Sequence, residues 1–163
     1  MDYRFYCLIA TALIFIGYLV YIVARYGVLP SISDSFYHIP KQYYWVFSVF
    51  MWTLSIMIML IGGTNLMYLA GVGLFFVGGE PYFQEKMQGL FHMIAAVCGI
   101  MFGLLSMGLD YHMWIIPIGF IVGAGLMKIL KIKNDIWWIE ILAFSTIIGG
   151  LFYYVVNNPF IFL

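Results

Sequence analysis

Few side chains in this chain of 163 residues are equipped for chemistry: three histidines (His38, His92, His112) and seven carboxylates. Glu140 lies about one turn into an apolar stretch, His92 opens another, and Glu80 closes a third beside Pro81. Near them in the same reading fall Ser31, Ser33, Asp34, His38 and Glu85. Ionisable groups at membrane depth are costly and are functional candidates by default. Two chemistries fit these types. Histidines with a carboxylate have the ligand set of an intramembrane zinc hydrolase, in which an activated water attacks a lipid amide or ester. Alternatively, the same groups with the two serines form the polar wall of a pocket for a lipid headgroup. Spacing argues against using all three histidines on one ion. His92 and His112 lie on one helix and its exit turn, roughly 30 Å apart at helical rise. Only His38 and His92 remain as metal candidates, and no HxxxH or HExxH pair fixes two ligands on one helix face. No cofactor is expected, and zinc belongs to the hydrolase alternative alone.

The elements that position these groups are set by composition. With 65% hydrophobic residues, 9% charged and a mean hydropathy of +1.03, the chain departs from soluble domains, where roughly a quarter of residues are charged. Breaking the apolar signal at charges, prolines and turn residues predicts a single all-α transmembrane bundle with spans near 5–24, 43–61, 65–79, 88–108, 113–130 and 136–156. The third is short and glycine-rich, so an alternative has five spans and a re-entrant segment. Gly62-Gly63-Thr64-Asn65 reads as a tight turn, making a hairpin of spans two and three. A β-barrel is excluded because the apolar runs are continuous. The run at 5–24 is too long for the core of a signal peptide and is read as a retained span. Cys7 and Cys98 sit in apolar stretches without a CxxC partner. No basic run marks a nucleic-acid partner.

Six spans sort the loops onto two faces. Face A holds the amino terminus, 62–65, 109–112 and 157–163; face B holds 25–42, 80–87 and 131–135. Of seven basic residues only Arg4 falls on face A, while Arg25, Lys41, Lys86, Lys128, Lys131 and Lys133 fall on face B. The positive-inside rule then makes face B cytoplasmic and puts both termini outside. The five tryptophans and several tyrosines near span ends read as interfacial anchors. Asp110-Tyr111-His112 reads as a solvated turn. Ala95, Gly99 and Gly103 recur every four residues, as do Gly119 and Gly123, giving ridges for close helix packing and for a second copy or membrane partner. This makes spans four and five central and turns His92 inward. Plainer readings stand beside each candidate: a packing role for His92, snorkelling of Glu140 or its pairing with Lys133 or Lys86, and turn or capping roles for Asp34, Ser31 and Ser33.

After the first span the chain reads Leu29-Pro30-Ser31-Ile32-Ser33-Asp34, with Pro40 ahead of the second. Further on come Tyr82-Phe83-Gln84-Glu85, then His92 leading into Ala95-Ala96-Val97-Cys98-Gly99. Over roughly residues 5 to 108 this resembles the Frag/DRAM/Sfk family of six-span membrane proteins and related small bacterial proteins. Their Pro-x-Ile-Ser-Asp segment follows span one, and a histidine opens span four. The chain departs where the family continues with Gly-Thr and Pro-Pro-Glu, having Ser35-Phe36-Tyr37-His38-Ile39-Pro40, and where an Asp often follows the histidine, having Met93. The resemblance implies a compact six-helix protein whose eukaryotic relatives are linked to glycolipid-anchor maturation, lipid organisation and autophagy. It implies no reaction.

The expected function is that of an integral membrane protein without established catalysis, engaging lipid headgroups or a membrane partner through a face-B pocket. Its candidate residues are Ser31, Ser33, Asp34, His38, Glu80, Glu85, His92 and Glu140. The alternatives are the metal-dependent lipid amidase or esterase and a small transporter or channel. The last sits poorly with span middles that hold almost no ionisable group.

Overall fold

The computed structural model describes residues 3–79 and 85–158, with side chains from residue 89 onward in the second stretch. Its elements are α1 (Tyr3–Tyr26), α2 (Ser35–His38), a 3₁₀ turn (Lys41–Tyr43), α3 (Tyr44–Gly62), α4 (Asn65–Gly79), α5 (Glu85–Leu109), α6 (Ile115–Ile129) and α7 (Asp135–Asn157). Among the described residues there is no strand. Four of these segments, on α1, α3, α5 and α7, are long and apolar enough to cross a membrane. The other two long helices, α4 and α6, have 15 residues each, about 22 Å at helical rise.

The helices form because apolar residues run without break, and each buries a stripe. On α1 the buried positions are Arg4, Leu8, Thr11, Phe15, Tyr18 and Ile22, the alternating three- and four-residue spacing of one helix face. The opposite face carries exposed Leu13, Ile16 and Val20, as a lipid-facing surface requires. The α3–α4 hairpin is built by its turn. Gly63 takes φ +65° and donates to the Met59 carbonyl at 3.2 Å, an αL termination that costs glycine no steric strain. Thr64 then caps α4, its hydroxyl accepting from Met67 N–H at 3.2 Å.

The centre of the bundle differs from the sequence expectation. Half of the α3 window is buried, against 33% for α5, and Pro117 is the buried residue of α6. Thus α3 is central and α6 lies outside, against α7 and α5. The reason is visible in the glycines. Gly73 of α4 meets the α5 ridge backbone to backbone: a Cβ there would lie 2.7 Å from Gly99 N and 2.8 Å from the Ala95 carbonyl oxygen. Gly119 on α6 has nothing within 4 Å, so the second ridge is only partly used.

Tertiary contacts gather the connections at two ends. At one, Phe5 packs on Phe152 and the Tyr111 hydroxyl donates to the Gly62 carbonyl at 2.6 Å. At the other, Asn134 Nδ2 donates to the Val28 carbonyl at 2.8 Å.

Candidate functional site

The segment after α1 is fastened from below by burial of Leu29, Ile32, Phe36 and Ile39. It is stitched sideways to the start of α7. The Trp137 N–H, in the first turn where helix donors lack intrahelical partners, donates to the Pro30 carbonyl at 3.0 Å. In return the Glu140 carboxylate accepts the Ile32 N–H at 2.5 Å across 108 residues of sequence. The 30–34 motif and the Glu140 carboxylate are therefore one structural unit. Neither snorkelling nor pairing with Lys133 describes what Glu140 Oε2 does; it satisfies a buried backbone donor.

Two further candidates lie in the neighbourhood of Glu140. His92 and Asp34 both lie within electrostatic range of Glu140. The Nδ1 atom of His92 is buried, consistent with an inward-facing side chain. Asp34 precedes α2 but its side chain makes no capping bond. The Asp34 N–H donates to the Ser31 hydroxyl at 3.0 Å, so Ser31 shapes the turn. Ser33 is partly exposed on the same turn, its carbonyl accepting from Phe36 N–H at 3.2 Å.

His38 does not join. It is exposed, its Nδ1 is bonded to the Asp34 carbonyl oxygen at 2.9 Å, and its ring lies 6.2 Å from that of Tyr26. Glu80 and the side chain of Glu85 fall outside the described residues. Among the described residues no three of His, Cys, Asp and Glu gather as a metal site would need. Lysines lie on the connection before α7: Lys131 and Lys133 are exposed, and Lys128 pairs with Asp135 at 2.6 Å.

Sequence reasoning missed two features. Below the motif, Ser35 is fully buried and shares a 2.6 Å hydrogen bond with the Tyr18 hydroxyl, while the Tyr18 ring stacks on Phe50 at 3.8 Å. The register of Tyr18 with Leu8 and Phe15 was the available signal. At the other end, the turn expected to be solvated is so only at Asp110 and His112; Tyr111 is buried. Ser106 donates to Asp110 at 2.7 Å and meets the Thr64 hydroxyl at 3.0 Å. Arg4, 5% exposed, acts electrostatically on Tyr111, so this residue is part of the packed interior there. Burial pushes the Tyr111 phenol above its ordinary range, with the opposing pull of Thr64 and Arg4 smaller.

The cluster at the motif end can accept hydrogen bonds from hydroxyl or ammonium donors through the carboxylates of Glu140 and Asp34, with His92 able to donate or accept. No protein-family model matches the chain, and no curated protein or solved structure matches it.

Proposed function

We propose that the chain is an integral membrane protein that holds the headgroup of a membrane lipid in the cluster formed by Asp34, His92 and Glu140, beside the 30–34 turn. The observation that carries this reading is the hydrogen bond that ties Glu140 to the 30–34 turn, with His92 and Asp34 within electrostatic range of that carboxylate at the end where the lysines lie. Glu140 uses one oxygen on Ile32 N–H, and a carboxylate has capacity for further donors. A headgroup presenting O–H or N–H donors fits that capacity, with its phosphate toward Lys131 and Lys133. The likeness of 30–34 and His92 to the Frag/DRAM/Sfk family is part of the same proposal. The test is lipid retained by the purified full chain, measured by native mass spectrometry. Asp34→Ala and His92→Ala should each lower retained lipid several-fold, and retention at the wild-type level in both would end this reading.

We also propose that all six long helices cross, with face B cytoplasmic and both termini outside. Parity supports it. Gly62 and Tyr111 touch, so an even number of crossings separates them, and only α4 and α5 lie between. Val28 and Asn134 touch, and α3, α4, α5 and α6 lie between. A re-entrant α4 would make both counts odd.

A further inference from the structure

We propose that a second lipid site, separate from the Glu140 cluster, lies between α1 and α3 and binds a quaternary ammonium headgroup of the choline type. A groove of about 580 Å³ opens there, and five of its lining side chains are aromatic: Tyr18, Tyr21, Tyr43, Trp45 and Phe50. None of its lining residues is charged.

The groove is oriented along the bilayer normal. Since α1 runs toward the motif end and α3 runs away from it, Ile14 and Thr53 mark the deep end and Tyr21, Tyr43 and Trp45 the interfacial end. From Ile14 to Tyr21 is about 10 Å of helix, which suits a headgroup above and the start of an acyl chain below. The floor is rigid: the Tyr18 ring is stacked on Phe50 and tied through its hydroxyl to Ser35. At the mouth Tyr21 lies within electrostatic range of Tyr26, Tyr43 and Arg25. The rings at the mouth are available, since Tyr21, Tyr43 and Trp45 are each about half exposed.

Aromatic faces attract cations, and quaternary ammonium groups are the ligands that such cages recognise. A primary ammonium is served less well, because its three N–H donors need acceptors. This groove offers no carboxylate, and the Thr53 hydroxyl, bonded to the Val49 carbonyl at 2.7 Å, lies at the deep end away from the headgroup level. Arg25, one helical turn beyond Tyr21, supplies the complementary charge for the phosphate of the same headgroup. Exposed rings occur elsewhere on the bundle too, but here five line one groove between two helices.

The experiment uses the purified full chain in a choline-free detergent, titrated calorimetrically with dihexanoyl phosphocholine and with the phosphoethanolamine and phosphoglycerol of equal chain length. Phosphocholine should bind about fivefold or more tightly than phosphoethanolamine. Tyr43→Leu and Trp45→Leu should abolish that preference, while Tyr43→Phe retains it because the π face is kept. Tyr153→Leu, an exposed aromatic at the opposite end, should leave it unchanged. Equal affinity for the three lipids in the wild type, or a preference that survives both leucine variants with helicity intact, overturns the proposal.

Discussion

At the scale of single residues, the hydrogen bond from Ile32 N–H to Glu140 decides how the motif loop is held. Glu140→Ala removes the acceptor and strands a buried donor, which costs about 1–3 kcal/mol. Glu140→Gln keeps an acceptor oxygen and should cost less. Thermal unfolding in detergent should rank the two in that order, and hydrogen exchange should show the Ile32 amide losing protection in the alanine variant. Tyr111 gives a prediction in pH. Its phenol is raised by burial above the ordinary value of about 10. The neutral form is thus favoured by folding, and that contribution is intact below about pH 10 and lost as pH rises through the folded-state value. Tyr111→Phe forfeits the bond to Gly62, about 1 kcal/mol, so it should be less stable than wild type at pH 7. The gap should narrow in unfolding curves taken above pH 10. Glu140 and His92 were legible as candidates because charge in a span is costly. The partner of Glu140 was not, since a backbone N–H 108 residues away leaves no mark in composition or period.

At the scale of helices, the small residues divide by what they touch. Gly73 faces the backbone of Gly99 and Ala95, and backbone cannot yield as a side-chain tip can. Gly73→Ala should therefore push α4 from α5, at about 1–3 kcal/mol. Gly119→Ala adds its methyl to open space and should leave the unfolding temperature within about a degree of wild type. Equal losses would mean that the α4–α5 contact is looser than the packing shows. Helix positions were read closely from hydropathy: 65–79 is α4, and 136–156 is within a residue of α7 at each end. The four-residue ridge on α5 was legible too. That α3 and not α6 is central was not, because an unbroken apolar sequence writes lipid-facing and core-facing residues in the same letters. On α6 Ile118 and Ile121 are exposed, while on α3 Leu54 and Ile58 are buried. In water such positions would be polar and the difference visible; in a bilayer both faces are apolar.

At the scale of the whole molecule, the difficulty is length. At about 22 Å, α4 and α6 fall short of a hydrocarbon core of about 30 Å. A helix that short crosses by thinning the bilayer locally or by drawing flanking residues inward, at a fraction of a kcal/mol per Å of mismatch. Packing offsets this for α4, which is held on one side by α3 through Ser55 Oγ donating to the Gly71 carbonyl at 2.6 Å and on the other by α5 at Gly73. These two interfaces favour the crossing proposed for α4. On the proposed six crossings, the parity of the contacts says which loops share a side, and the positive-inside rule makes the lysine-bearing side cytoplasmic. Single cysteines at Lys41, His112, Lys133 and Asn157, in a background lacking Cys7 and Cys98, test both with a membrane-impermeant maleimide. Positions 112 and 157 should react in intact cells, and 41 and 133 only after permeabilisation. The reversed pattern would leave the bundle intact and invert its orientation. Reaction of 41 and 112 from the same side would mean an even number of crossings between them, and α4 would then be re-entrant despite its packing.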